Sequence, residues 1–238
     1  MQGMILAAGR GARLEMTVPK CLSDVDGAPL IEHQLAALRS LGVERVTVVV
    51  GFEAARVRAA LGDRVTYVEN TRYATTDSLY SFLLAAERLR GHAFVLNGDV
   101  LFDPRILLGL RGVGGSALAF DSGSGHEDEE MAVAVQGAAL AEMRKDLAPA
   151  RVAGENVGVL WLERSTLRAT VRAARRLVAA GRDREWLASA INVVAARSAI
   201  RCVDVAGLPW IEIDFPDDLD RARHTVLPAI QRRLEAVA

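Results

Sequence analysis

Nearly uninterrupted apolar runs alternate, along the first hundred positions, with stretches in which apolar residues return every three to four positions. GMILAA (3–8), ERVTVVVG (44–51), RVTYVE (64–69) and AFVLNGD (93–99) are of the first kind and predict strands. PLIEHQLAALRSLG carries Leu30, Ile31, Leu35 and Leu38 at helical spacing, with Gly42 placed to end the helix. Further helices are predicted over EAARVRAAL (53–61) and about 78–90. Strand and helix in short alternation imply parallel pairing, and a run such as VTVVV suits a sheet covered on both faces.

After Asp99 the texture changes. SALAF (116–120), MAVAV (131–135) and VGVLWL (157–162) read as strands between turn-rich segments, with a short strand at 139–143, which predicts an antiparallel lid on the sheet. Helices at 165–180 and 184–197, a strand at 200–205, the strand WIEID (210–214) and a helix opened by Pro216 and interrupted at Pro228 complete the pattern. The expectation is a single α/β domain over 1–238. Its sheet should be doubly wound, mixed but mostly parallel and Rossmann-like, with an antiparallel lid extension, the two halves meeting near 115.

Composition narrows the function. The chain has 238 residues, 51% hydrophobic and 25% charged, with net charge -1 and no basic tail, which argues against nucleic acid as a partner. No stretch approaches the ~20 apolar residues of a membrane span, and a cytoplasmic location is expected. Cys21 and Cys202 lack metal-ligand spacing and read as structural thiols. Of 29 basic residues only Lys20 and Lys145 are lysine, so each invites a specific explanation.

Directly after the first strand stands LAAGRGARL (6–14), then PKCL (19–22). Gly9 and Gly11 let the backbone approach a polyphosphate, and successive N–H groups can form an anion-binding nest. Arg10 and Arg13 add charge for outer phosphates, and Lys20 offers a compact ammonium at the α-phosphate or the leaving pyrophosphate. A dinucleotide-binding turn occupies the same place in other folds. Here the loop runs on to Pro19-Lys20 before any helix, and VTVVVG ends without an acidic ribose ligand.

LAAGRGARL with PKCL resembles the signature of the sugar-phosphate and phosphocholine nucleotidyltransferase superfamily. Asn70-x-x-Tyr73-x-x-Thr76 with Ser81 resembles a segment of its small cytidylyltransferases for phosphocholine, inositol phosphate and phosphonates. So do Asn97-Gly98-Asp99, Lys145, Gly154-Glu155 with Val157-Gly158, and Trp210-Ile211-Glu212-Ile213-Asp214. The resemblance implies Mg²⁺-dependent transfer of CMP from CTP to a small phosphonate or phosphomonoester, with pyrophosphate released. It implies nucleotide contacts from Leu6, Ala7, Ala8, Gly9, Arg10, Gly11, Thr76, Asp77, Asn97 and Gly98, in a half spanning about 1–115. It implies acceptor contacts from Asn70, Tyr73, Ser81, Glu155, Trp186 and Trp210, with the lid and the metal-completing segment in the half after 116. Lys20, Lys145 and Arg13 are the implied catalytic groups, and Asp99, Asp214 and Glu212 the metal set. Two departures stand out: the loop from Arg13 to Lys20 is about three residues short of the common form, and Asp77-Ser78 replaces Asn-Asn. Alternatives are a sugar-1-phosphate nucleotidyltransferase using UTP, GTP or dTTP, a catalytically silent nucleotide-binding protein, and an oxidoreductase. Homo-oligomerisation is left open.

Attack of an acceptor oxyanion on the α-phosphorus joins two anions, so positioning and charge neutralisation should carry the catalysis, and no general base is required. Asp99 and Asp214 end strands and can converge on Mg²⁺ as hard oxygen ligands, with Glu212 on the same strand face as Asp214. His33, His92, His126 and His224 read as structural or surface residues. Plainer readings exist: Asp99 capping a turn, Asp214 starting the last helix, Lys145 at the surface, and the acidic run 126–130 as a solvated hairpin approach. A choline acceptor calls for an aromatic cage, for which only Trp161, Trp186 and Trp210 are at hand. An anionic phosphonate beside Arg72, Arg111 and Arg151 fits this aromatic-poor chain better. Phosphocholine and inositol phosphate stay open.

Overall fold

In the computed structural model, which describes residues 1–11, 13, 18–124 and 131–235, the chain opens with β1 (Gln2–Ala7). A 3-10 turn (Lys20–Leu22) leads to the hairpin β2 (Asp24–Val25) and β3 (Ala28–Pro29). Then follow α1 (Leu30–Ser40), β4 (Arg45–Val50), α2 (Ala54–Leu61), β5 (Thr66–Glu69), α3 (Ser78–Ala86) and β6 (Ala93–Asn97). The next elements are β7 (Val100–Phe102), α4 (Arg105–Gly112), β8 (Ala117–Asp121), β9 (Ala132–Gln136), β10 (Ala139–Arg144) and β11 (Gly154–Leu162). Helices α5 (Arg164–Ala179) and α6 (Leu187–Ala195), strands β12 (Arg201–Asp204) and β13 (Trp210–Glu212), and helices α7 (Pro216–Arg221) and α8 (Leu227–Glu235) complete the described chain.

Strand β1 pairs in parallel with β4 on one side and β6 on the other, and β5 extends β4. Alternate residues of these strands enter opposite cores. Met4, Val49 and Val95 pack with Leu79 and Phe82 of α3 and Ile191 of α6, while Ile5, Val48 and Leu96 pack with Ile31 and Leu35 of α1 and Ile106 of α4. Burial on both faces is what the nearly continuous apolar runs require. Gly42, at φ 74, follows α1 and returns its N–H to the Arg39 carbonyl, the left-handed closure that glycine permits.

Beyond β6 the sheet departs from expectation. β11 runs antiparallel to β6, and from it β8, β12, β10 and β9 continue until β9 pairs back on β11. The result is a closed, five-stranded, mostly antiparallel barrel, in which only β8–β12 is parallel. The expected doubly wound, mostly parallel, Rossmann-like open sheet with an appended lid is therefore incorrect: the segment read as a lid is this barrel, continuous with the core sheet. Closure needs strong bending, and two register shifts supply it, one in β11 between Asn156 and Leu160 and one in β10 between Leu140 and Glu142. Gly158 sits within the first at φ 75, where a Cβ would lie 2.7 Å from the Asn97 side-chain nitrogen.

Three elements carry no clear pattern in the sequence. Helix α4 is short and holds Gly109 and Gly112. β7 has only three residues. The β2–β3 hairpin turns on Asp26 and Gly27, both at positive φ, as tight hairpins demand. At the C-terminus, Pro228 has no N–H to return to His224, and a π turn (Ala222–Val226) separates α7 from α8. The loop residues Ala12 and 14–17 and the acidic run 126–130 with His126 lie outside the described residues.

Candidate active site

Asp99 follows the Gly98 turn at the end of β6. Gly98 donates its N–H to the Leu6 carbonyl at 3.0 Å, and a Cβ there would meet that oxygen at 2.7 Å, so this approach of two backbones excludes any side chain. The chain then enters β7, which pairs antiparallel with β13, Val100 opposite Glu212, and the Asp99 carbonyl accepts the Ile213 N–H at 2.9 Å. This small two-stranded sheet brings the segment near 212 to the one near 99. Asp99, Glu212 and Asp214 each offer a carboxylate oxygen within 4.8 Å of the others.

Lys20 enters this cluster from the 3-10 turn. Its Nζ donates to Asp99 Oδ2 at 2.9 Å and also to Asp214 Oδ1, and its side chain is only 11% exposed. Arg13 Nη1 lies 3.8 Å from Asp214 Oδ2. Burial alone works against the Lys20 charge, but Asp99 and Asp214 outweigh it and hold the ammonium above its ordinary pKa. Burial, followed by the charges of Asp99 and Asp214, pushes the Glu212 carboxyl up to about 8. Asp99 Oδ1 is buried without a hydrogen-bond partner among the described residues. An orphaned carboxylate oxygen inside an all-oxygen donor set marks a place short of positive charge, and such donors suit a hard divalent cation. The start of α7 makes no claim on Asp214: the backbone N–H groups of Asp214 and Phe215 both donate to Asp218 Oδ2.

Two pockets flank the cluster and share Ser78, Asn97, Trp186 and Glu212 in their walls. The smaller, about 340 Å³, lies at the carboxyl ends of the parallel strands and is bounded by Leu6, Ala8 and Gly9. Thr76, Asp77, Asn97 and Asp99 join it, and so do Asn70, Tyr73 and Ser81, which the sequence reading had grouped with the acceptor. Asn70 is 1% exposed and donates to Thr76 Oγ1 and Ser81 Oγ, so it braces this wall. Asp77 caps α3 by accepting the Ser78 N–H, and burial raises its carboxyl above the usual range. Ala7 and Gly98 lie in close contact next to these residues, since a Cβ on Gly98 would stand 2.9 Å from Ala7 Cα. The Arg10 guanidinium lies 5.6 Å from the Phe52 ring centroid, and Gly11 packs on the Lys20 stem.

The larger pocket, about 600 Å³, opens toward the barrel and is lined by Lys145, Glu155, Trp186 and Trp210, with Arg13 and Asp214 at the side of the carboxylate cluster. Lys145 Nζ stands 5.0 Å from the centroid of the Trp186 ring. Trp186 is held at the mouth because the preceding loop is tied to α3: Asp77 N–H donates to the Asp183 carbonyl, Leu79 N–H to the Glu185 carbonyl, and Leu187 N–H to Ser78 Oγ.

Sequence reasoning missed Asp121, Asn156, Met131 and Met143, which also line this cavity. Nothing local marks them, because only barrel closure turns them to one space. Three arginines anticipated at the acceptor lie elsewhere: Arg72 pairs with Asp183, Arg151 with Glu142, and Arg111 reaches Met1. Trp161 is core, stacked on His92 and packed on Phe94. His33 Nε2 lies 3.0 Å from the Val25 carbonyl oxygen.

Residues 3–195 match the family described as MobA-like NTP transferase domain. Across its whole length the chain is 29% identical to a CMP-5'-(3-aminopropyl)phosphonate synthase of Streptomyces rubellomurinus, of which it covers 41%. The chain thus spans less than half the length of that curated relative. Two solved structures share the fold. The inositol-1-phosphate CTP transferase of T. maritima aligns with TM-score 0.78 at 22% identity over 94% of this chain and 97% of that one. A CTP:phosphocholine cytidylyltransferase from Streptococcus pneumoniae aligns with TM-score 0.73 at 20% identity over 99% of this chain and 98% of that one. No helix among the described residues is long and apolar enough to cross a membrane.

Proposed function

Starting from the premise that this chain belongs to the MobA-like NTP transferase family, we propose that it transfers CMP from CTP to a small phosphonate or phosphomonoester and releases pyrophosphate. The observation that carries this reading is the position of Asp99, Glu212 and Asp214, with Lys20, at the junction of the two pockets. One pocket can hold a nucleotide and the other an acceptor, with the charged cluster where they meet.

In the transfer, an oxyanion of the acceptor forms a bond to the α-phosphorus while the bond to the α–β bridging oxygen breaks, and that oxygen leaves with pyrophosphate. The attacking oxygen carries its own negative charge, so no proton needs to move. The main barrier is repulsion between anions. Asp99, Asp214 and Glu212 would hold Mg²⁺, which when bound supplies charge neutralisation and Lewis-acid polarisation of a phosphate oxygen. Lys20 offers a second positive charge at the same point, and its pairing with two carboxylates fixes its position before substrate arrives. Leu6 through Gly9 and the Gly98 turn present backbone to the nucleotide. Thr76, Asp77, Asn97 and the braced Asn70–Ser81 wall complete that side, with Tyr73 beside them. Lys145, over the Trp186 ring, faces the acceptor's phosphoryl end, and Glu155 and Trp210 its far end.

A pyrophosphate-release assay with each NTP, with and without Mg²⁺, tests the reading. The expected result is Mg²⁺-dependent release with CTP above ATP, GTP and UTP once an acceptor is present. Equal or better turnover with UTP, GTP or dTTP would assign the chain to sugar-nucleotide synthesis, and silence with every NTP and acceptor would reject transfer altogether.

A further inference from the structure

The buried face of α1 holds a residue whose polarity sets it apart from its neighbours. Leu30, Ile31, Leu35, Ala37 and Leu38 form an apolar stripe, and Gln34, three positions after Ile31 and four after Leu30, lies within it at 1% exposure. Burying an amide costs free energy unless it is hydrogen-bonded. Gln34 Nε2 donates to the Asn97 carbonyl at 2.7 Å and to the Val100 carbonyl at 2.8 Å, whereas Oε1 has no partner among the described residues. Those two acceptors fix which end of the amide is the NH₂, since the flipped group would set oxygen against oxygen. An amide kept in the core with its oxygen unsatisfied is kept for its donors.

Asn97 and Val100 bracket the Gly98-Asp99 turn, where the chain leaves β6 and enters β7. Ile213 donates its N–H to the Asp99 carbonyl, and bonded pairs alternate along an antiparallel ladder. Val100, opposite Glu212, therefore turns its carbonyl away from β13, and Gln34 meets it from the other side. With the Gly98 N–H taken by the Leu6 carbonyl, the turn is held by β1, by β13 and by α1, and the hold from α1 is made by a side chain. The same helix starts where Leu30 donates its N–H to the Ser23 carbonyl, and Ser23 donates its own to the Lys20 carbonyl. Helix α1 thus connects the backbone that carries Lys20 to the backbone that carries Asp99.

We infer that Gln34 is a positioning residue for the carboxylate cluster: by holding the Asn97 and Val100 carbonyls it sets where Asp99 stands relative to Lys20, Glu212 and Asp214. The inference rests on the reading that this cluster receives Mg²⁺ with the nucleotide. Gln34 lines neither pocket, so it acts through the turn alone. Mg²⁺ tolerates little departure from octahedral geometry, and a carboxylate displaced by a fraction of an ångström binds it less well.

Gln34→Met keeps the length of the side chain and removes both donors. The Mg²⁺ concentration that half-saturates CTP binding, measured by calorimetry without acceptor, reports on the cluster in the absence of turnover. It should rise by about 10-fold in this variant, with kcat at saturating Mg²⁺ lowered by about 10-fold and the acceptor KM within about threefold. Leu38→Ala, in the same helix and core, is the control: it should lower Tm and leave the Mg²⁺ half-saturation within about twofold. Gln34→Glu keeps the shape but cannot donate to both carbonyls, and it decides the matter if the methionine variant does not fold, with an expected rise of about threefold or more. On an Asp99→Asn background, Gln34→Met should add less than about twofold to the loss of kcat/KM, since both changes act on one carboxylate. An unmoved half-saturation, an equal rise in Leu38→Ala, a full further 10-fold loss on the Asp99→Asn background, or failure of both Gln34 variants to fold overturns the positioning role and leaves nucleotidyl transfer standing. Absence of Mg²⁺-dependent CTP binding in the unmodified protein overturns the transfer reading, and this inference with it.

Discussion

The parallel strands β5, β4, β1 and β6 present backbone at their carboxyl ends, whereas the barrel of β11, β8, β12, β10 and β9 presents side chains to the larger pocket beside it. On the parallel side the close approaches are main chain to main chain, as where Gly98 meets Leu6 and where a Cβ on Gly51 would lie 2.7 Å from the Ala8 carbonyl oxygen. On the barrel side the wall is carboxylate, amide, indole and thioether. A pocket floored by backbone tolerates exchange of neighbouring side chains but not of its glycines. A pocket walled by side chains can change its ligand while the ladder stays intact. Donor and acceptor specificity should therefore respond to different kinds of mutation.

The sharpest way to break this comparison is at the seam. Asp99→Asn and Asp214→Asn are each expected to lower turnover by about 10²-fold or more with nearly unchanged melting temperature, because each removes charge from the junction that both pockets serve. Near-native turnover in either variant at saturating Mg²⁺ would detach that carboxylate from the chemistry. Next comes Lys145→Ala, which should cut kcat/KM for the acceptor by about 10²-fold while CTP affinity by calorimetry stays within a few-fold. Loss of CTP binding instead would dissolve the donor and acceptor division.

A smaller effect belongs to the parallel side alone. In Gly98→Ala the new methyl meets the Leu6 carbonyl oxygen and Ala7 Cα at 2.7 and 2.9 Å, backbone atoms that cannot swing aside. The expected cost is about 1–3 kcal/mol, read as a fall in Tm of several degrees with weaker CTP binding. An unchanged Tm would mean that the two backbones are not held together. The smallest effect uses the thiols, one in each region. Cys21 is buried beside α1, and Cys202 is half-buried on β12. Burial pushes both up to about 12, so at pH 8, where an ordinary thiol is partly ionised, both stay protonated. Alkylation of the folded protein should be slower than in the unfolded chain by about 10²-fold or more, with Cys202 reacting before Cys21 as denaturant is added. The reverse order would make the barrel the more persistent region.

The apolar runs of β1, β4 and β6 and the helical spacing of α1 were legible because burial on two faces, or on one stripe, writes its period into neighbouring residues. The glycine loop, the two scarce lysines and the carboxylates 99, 212 and 214 could be named on a different ground, because the short contiguous segments around them resemble those of a known superfamily. The joining of those motifs could not. Asp99 meets Asp214 because three-residue strands β7 and β13 pair across more than a hundred positions, and such pairing leaves no periodic trace at either end.

Likewise the sequence marked β8, β9 and β11 as strands, but only the return pairing of β9 onto β11 decides between a lid and a barrel. That closure sets Asp121 opposite Glu155 and turns Asn156, Met131 and Met143 toward one cavity, while Arg72, Arg111 and Arg151 end elsewhere. Local periodicity can say which face of an element is wet or dry. Which distant elements share a ladder depends on bulge positions and on contacts that exist only after the chain has folded, so those were left to the tertiary structure.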